Sequence, residues 1–525
     1  MELSGNLLIG SAEVPASAGT MRALNPATGR EIGPPFALGG REEVDRAVRL
    51  ADEAFDTYNR TSLPVRAGFL DLIADRLDVV NEELARRASL ETGLPVDQLK
   101  GEASRAGSQF RKFADVVRQG RFRQATIDPA QPDRESMPRM DHRMQKISIG
   151  PVAVFGASNF PISYSVTGGD TASALAAGSP VVFKAHNAHP GASEIMARVI
   201  RDAVDDAGLH EGVFSMVRGA GNEIGEALVD HPLITAVTFT GSESGGMALF
   251  RRAQQRPDPI PVFAEMTSVN PAFILPAAQA ARGPEIGDSF AAWMLYAVGQ
   301  ACLKPAVLVG TDGPGFDQMR EAAAARVADT SGRTMLTPGI HSAYERNVDK
   351  MRHAGARTVA EGSDTKGDFD GRALLLEVDA DRFLAEPSLA EEVFGPAALI
   401  VRACDLNQLL AVARSFRGQL SATMHLDDAD HDTAAQLLPV LERRTGRIVV
   451  NAYSIPQEVS YAVVHGGPFP ATTDSRFTSV GMTAIDRFLR PVTYQNCPDN
   501  LLPEALEHAN PLDLWRLTDG SIGRK

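Results

Sequence analysis

The chain has 525 residues, 44% of them hydrophobic and 22% charged, with a net charge of -14. That length suits two or three domains around a large core, and the acidic balance argues against a nucleic-acid partner, which needs a basic face. Only three cysteines are present, too few for a disulfide framework and suited to a reducing compartment.

The first twenty residues read as a surface arm leading into NPATG. They lack a basic region followed by a long apolar core, so no secretory signal is expected. No apolar run approaches the roughly 18 residues needed to cross a bilayer. A cytoplasmic protein without membrane contact is expected. Helical spacing of apolar residues covers 41–58, 66–94 and 99–117. The stretch 121–144 is polar and proline-bearing, as in a linker or extended arm.

After Lys146 short apolar runs alternate with helical segments. Strands are expected at 152–157, 180–184, 213–217 and 234–240, with helices over 160–177 and 191–207 and others starting near Asn222 and Glu243. This alternation predicts a parallel sheet covered on both faces. A second alternating block runs from about Ser289 to Val450.

Ligands bind beyond the carboxyl ends of such strands. The strand ends here read FGASNFP, KAHNAHP, RGAGNEIG and FTGSESGG. Glycine beside a helix start lets backbone N–H groups approach a phosphate. A dinucleotide crevice and a set of ordinary tight turns are both consistent with this spacing. Cys302 lies in VGQACLKP and Glu265 in FAEMTSVNP. Taken singly, a lone buried cysteine is most often an inert apolar residue, and an acid at a strand end can simply face a helix terminus.

The order FTGS, an acid at a strand end, GQxC and then EEVFGP resembles the aldehyde dehydrogenase superfamily over nearly the whole chain. GPVAVFGASNFP, GGDTASALAAG, HGGPFPATTDSRFTSVG and FLRPVTYQN are similar to one branch of it. That branch holds α-ketoglutaric semialdehyde and NADP-linked bacterial fatty aldehyde dehydrogenases. The resemblance implies an α/β fold: a Rossmann-like cofactor domain (1–124 and 150–266), an α/β catalytic domain (267–465), and a small β oligomerisation arm and tail (125–149 and 486–525). A homodimer or homotetramer acting on a small-molecule aldehyde follows from the same likeness.

The resemblance also implies roles. Cys302 is the nucleophile, reacting as its thiolate. Asn159 and the Cys302 backbone N–H hold the oxyanion. Glu265 is the general base that hydrolyses the thioester, favouring a free acid product over transfer to coenzyme A. Lys184 and Glu392 match the ribose-binding positions, Phe394 the ring beside the nicotinamide, and Ser242 a phosphate contact. Gly219 and Gly241 belong to the glycine turns. Asn187 stands where NAD-preferring relatives carry an acid. Without that like charge a 2′-phosphate is not repelled, so the reading leans to NADP, with NAD as the alternative.

Phe160, Ser163, Tyr164 and Thr167 would share one helix face beside the substrate tunnel. Phe110 and Phe113 match the opposite wall. Arg111 between them reads either as the partner of a substrate carboxylate or as a solvated surface arginine. Where the branch reads GQFCTxPG, this chain reads GQACLKPA. Ala301 and Leu303 therefore reshape the mouth, and the substrate is a semialdehyde such as 2-oxoglutarate semialdehyde or a bulkier apolar aldehyde. No metal site is expected: His186 and His189 lack a third ligand. The rival reading is a silent binding protein that keeps the fold.

Overall fold

A computed structural model describes residues 2–455 and 457–524. The first sheet has seven strands in the order Val262–Glu265, Ala236–Thr240, Val152–Phe155, Val181–Lys184, Phe214–Val217, Leu7–Ile9 and Ala12–Val14. The first five are parallel, and the N-terminal pair is added antiparallel. VAVF and FSMV are buried at every position, as expected of strands covered on both faces. Helices Arg41–Tyr58, Leu63–Thr92, Val96–Gln119 and Pro190–Asp206 pack around this sheet.

The second sheet also has seven strands, from Arg357–Glu361 at one edge to Thr445–Val450 at the other. Only Arg357–Glu361 runs antiparallel to its neighbour. The polar stretch after Gln119 and the C-terminal tail meet in a third, five-stranded sheet. It contains Thr126–Asp128, His142–Ser148, Leu489–Gln495, Arg516–Thr518 and Ser521–Gly523.

One element departs from expectation. Only Gly169–Ala177 of the 160–177 stretch is helical. The Ala157 N–H donates to the Tyr164 carbonyl at 3.0 Å, closing a loop that a helix there could not form. Gly168 sits extended at the helix cap, and a Cβ there would press on the backbone of Ser163, Tyr164 and Ser165. The one-face argument for Phe160, Ser163, Tyr164 and Thr167 therefore fails: those side chains leave a compact series of turns.

After the second sheet the chain returns to the first. Met266 N–H donates to the Ala471 carbonyl at 2.9 Å and Thr473 N–H to the Ala264 carbonyl at 3.1 Å. This return carries the segment around His465 to the end of the Val262–Glu265 strand.

Candidate active site

Between the two large sheets lies a cavity of about 870 Å³, lined among others by Asn159, Ser242, Glu265, Cys302, Glu392 and Phe394. Each reaches it for a local reason. Asn159 follows the Val152–Phe155 strand, and its amide donates to the Gln300 carbonyl at 3.0 Å. Glu265 ends its strand and is buried. Ser242 caps the Glu243–Gln254 helix, its hydroxyl accepting from the Gly245 N–H at 3.2 Å. That helix N-terminus, with Gly241, offers free N–H groups to an anion.

Cys302 stands on a backbone turn of unusual shape. Ala297, Val298 and Gly299 are all left-handed, with φ of 50°, 59° and 67°. Such values are sterically costly for alanine and more so for a β-branched valine. A side chain at Gly299 would collide with the Gly395 backbone, so the Cys302 turn packs directly on the EEVFGP loop. Asn270 fixes the turn from the other side. Its amide donates to the Cys302 carbonyl at 2.8 Å and the Lys304 carbonyl at 3.0 Å.

Lys304 is fully enclosed. Its ammonium donates to the carbonyls of Val393, Gly395 and Ala397 at 2.6, 2.8 and 3.1 Å. Burial lowers its pKa to about 8, with Glu392 nearby acting in the opposite direction. Glu392 accepts from the Thr267 hydroxyl at 2.8 Å. Burial raises its pKa, partly offset by Thr267 and Lys304.

His465 completes the site. Its Nε2 lies 3.6 Å from the Cys302 sulfur and 2.9 Å from Glu265 Oε1. The second contact is close but off the line of a good hydrogen bond, while Ser479 donates to Glu265 Oε2 at 3.0 Å. The donor atoms of Glu265, Cys302 and His465 all lie within 4.8 Å of one another. Burial raises the Cys302 pKa well above its ordinary value, and Glu265 adds to the rise. Burial also pushes Glu265 upward, but attraction to the His465 ring and its hydrogen bonds more than offset this, leaving it below the usual carboxylate range. Ionisation is thus disfavoured at the thiol and favoured at the carboxylate, with the His465 ring in contact with both.

The chain belongs to the aldehyde dehydrogenase family. The family model described as "Aldehyde dehydrogenase family" matches residues 14–469. Alpha-ketoglutaric semialdehyde dehydrogenase 2 of Azospirillum brasilense is 51% identical over 522 residues, covering 99% of each chain. The alpha-ketoglutaric semialdehyde dehydrogenase of Acinetobacter baylyi is 42% identical, again over 99% of both. A solved structure of aldehyde dehydrogenase C from Pseudomonas syringae, with NAD+ and octanal, shares the fold. Its TM-score is 0.80 at 23% identity, covering 94% of this chain and 97% of that one. The chain is accordingly an NAD(P)-dependent enzyme that oxidises aldehydes.

Lys184, Asn187 and Gly219 lie at adjacent strand ends of the first sheet, outside the cavity lining. Burial and the neighbouring Arg218 lower the Lys184 pKa. Asn187 donates to the Gly219 carbonyl at 3.1 Å and keeps a buried, unpartnered oxygen. Arg218 is buried, with Nε and Nη2 unpartnered. Its guanidinium donates to the Gly5 and Ala37 carbonyls and lies over the Phe36 ring, while the open Asn187 oxygen near Lys184 fits a hydroxyl donor.

Several expected tunnel residues sit elsewhere. Phe110 and Phe113 are fully buried in the main core. That helix packs against Leu63–Thr92 and also against Gly169–Ala177. Thr167 is also buried, its hydroxyl spent on the Ile162 carbonyl and the Met196 sulfur. Arg111 is bound at the surface by Asp75 at 2.7 Å and Asp78 at 2.6 Å, so it follows the surface-arginine reading. Ser163 is buried with its hydroxyl 3.5 Å from Glu102. Tyr164 stays near the chemistry: its ring lies 5.4 Å from Phe160 and 6.3 Å from His465. Ala301 is buried, and Leu303 packs with Leu420, Ala471 and Ile455 around Cys302.

His465, Asn270, Lys304 and Arg218 carry positions that sequence reasoning left without a role. Each stands inside a quoted motif (HGGPFP, FAEMTSVNP, GQACLKPA, RGAGNEIG). A histidine opening a Gly-Gly turn was the available signal for the first.

Proposed function

We propose that the enzyme oxidises a short semialdehyde bearing a carboxylate, with 2-oxoglutarate semialdehyde as the model substrate, to the diacid. The single observation that carries this is the end-to-end likeness to α-ketoglutaric semialdehyde dehydrogenases. A second reading, a bulkier apolar aldehyde, has support in the Leu303–Leu420–Ala471 wall beside the thiol.

The residues divide the chemistry as follows. The aldehyde carbon meets Cys302 as the thiol proton passes to the carboxylate–imidazole pair of Glu265 and His465, since the buried thiol alone ionises poorly. The oxyanion of the thiohemiacetal is held by the Asn159 amide and the Cys302 N–H. The dinucleotide, when bound, supplies the oxidant for that adduct. Glu265, kept charged, then takes a proton from the water that hydrolyses the thioester. Glu392 and Lys184 would hold the ribose hydroxyls, Ser242 with Gly241 a phosphate, and Phe394 the nicotinamide face.

The cofactor we favour is NADP+. Lys184 stands at the strand end expected to face the ribose, and Asn187 brings no opposing carboxylate. A cytoplasmic homo-oligomer is proposed as well. Three free cysteines suit a reducing compartment, and Trp515, Leu517 and Ile522 expose apolar surface on the arm.

The test is reduced-nicotinamide formation with NAD+ and NADP+ separately, over a panel of short, long, aromatic and carboxylate-bearing aldehydes, with Cys302→Ala as control. A preference for the acid aldehydes supports the first reading; a preference for long neutral ones supports the second.

A further inference from the structure

Arg111 cannot receive a substrate carboxylate, so the substrate charge proposed above needs another partner. Two cations approach the site from elsewhere. Arg447 lies on the edge strand Thr445–Val450 of the second sheet. A side chain at Gly446 would strike Gly466 and the Gly467 nitrogen, immediately after His465. In register, Arg447 pairs with Ser421, next to the Leu420 that packs with Leu303 and Cys302. The strand therefore delivers Arg447 against the loop that holds the reacting groups. Its Nη1 is buried without a partner. Burial lowers the guanidinium pKa, partly offset by the neighbouring Tyr164 hydroxyl.

Gln457 meets the same hydroxyl. Its Oε1 lies 3.3 Å from Tyr164 Oη, while its Nε2 is a second buried donor with no acceptor. Arg105 donates to the Gln457 backbone carbonyl and also borders Tyr164. Tyr164 in turn is close enough to Cys302 for the thiolate to raise its pKa further after burial has done so. Of the nearby carboxyls, Glu265 acts on Tyr164 alongside Cys302 and belongs to the reacting groups. Glu458 is paired with Lys112 at 2.6 Å. Glu102 turns to Ser163, and burial pushes its pKa up to about 7.

Buried donors without acceptors are rare and ask for a ligand or water. Here two of them, with a second guanidinium alongside, flank one tyrosine that touches the ring of His465. We propose that Arg447 and the Gln457 amide, supported by the charge of Arg105, bind the carboxylate of the semialdehyde while its aldehyde end reaches Cys302. This rests on the reading of the substrate as an acid aldehyde. The planar guanidinium matches a carboxylate in shape and charge. The site acts on specificity, with no part in the bond-making steps.

The experiment compares glutarate semialdehyde with pentanal, which has the same chain length and no charge, in wild type, Arg447→Met, Arg447→Lys and Gln457→Met. In the Met variants kcat/KM for the acid should fall roughly 10- to 100-fold, mostly through KM, and pentanal should change less than about threefold. Arg447→Lys should recover part of the loss, because the charge remains but the fork does not. Added salt should raise KM for the acid alone. Melting temperature and cofactor binding check that each variant folds; Gln457→Met, which removes no buried charge, covers a collapse of Arg447→Met. An equal loss on both aldehydes, or no loss on the acid, overturns the assignment. If wild type itself shows no preference for the acid, the substrate reading falls and the carboxylate site falls with it.

Discussion

His465 Nε2 lies 3.6 Å from the Cys302 sulfur, although 163 residues separate the two in sequence. The imidazole is wedged against Glu265 at 2.9 Å, and His465 is itself buried. The structure therefore sets a carboxylate–imidazole pair against the thiol in a buried pocket.

Replacing His465 by phenylalanine keeps a planar ring and removes the imidazole half of the pair that receives the thiol proton. We expect kcat to fall about 10²- to 10⁴-fold, the usual range for loss of a general base. Alkylation of Cys302 by iodoacetamide should slow in parallel. Unchanged alkylation in that variant would show that the ring only packs.

Glu265→Gln separates the two halves of the reaction. The first turnover should still produce a burst of reduced cofactor, because Cys302 and His465 remain. Steady-state turnover should fall at least about 100-fold as the thioester accumulates. Rapid-mixing kinetics with intact-mass detection of the acylated enzyme reads both outcomes.

Asn187→Glu puts a carboxylate beside Lys184 and Arg218. Like-charge repulsion should lower kcat/KM for NADP+ by about tenfold or more, with NAD+ affected far less. A parallel loss for both cofactors would mean that the Asn187–Gly219 hydrogen bond matters more than the charge.

Glu102 supplies a pH signature. Its ordinary value of 4.5 is raised to about 7 by burial. The folded chain thus keeps a proton that the unfolded chain releases, and stability falls as pH rises from about 4.5 through 7, then levels off. The change is on the order of 3 kcal/mol. Glu102→Gln should remove it, so the variant gains on wild type at pH 8 relative to pH 5. Thermal denaturation of both proteins at the two pH values measures the difference.

Lys304→Met leaves three buried carbonyl oxygens without their donor. A loss of about 2 to 4 kcal/mol is expected. KM for the cofactor should rise too, because the same carbonyls belong to the loop bearing Glu392 and Phe394. Chemical denaturation and cofactor titration test the two effects independently.

Much of this frame was legible because its signals are local. Four of the seven strands of the Rossmann-like sheet are short apolar runs of the right length, and their ends lead to Asn159, Lys184 and Ser242. Cys302 and Glu265 stand within motifs only a few residues long. The segment 160–168 was misread because its spacing is helical while its hydrogen bonds turn back on Ala157. Phe110 and Phe113 could not be told from tunnel residues, since an aromatic stripe reads alike whether it faces a core or a ligand. Arg111 was placed by two aspartates on a neighbouring helix, a contact no local pattern announces. His465 needed the return crossing between the sheets, a long-range relationship that spacing does not encode.

The Cys302–His465–Glu265 triangle carries a further liability. A sulfur, an imidazole nitrogen and a carboxylate oxygen are the preferred donors of zinc, and a tetrahedral ion would separate the sulfur and nitrogen by about 3.5 Å, close to the spacing already present. A trace of free zinc should therefore quench the enzyme by replacing the thiol proton, and a chelator should restore it. Activity measured in metal-contaminated buffer would understate the enzyme, and its thiol would look sluggish for a reason unrelated to its sequence.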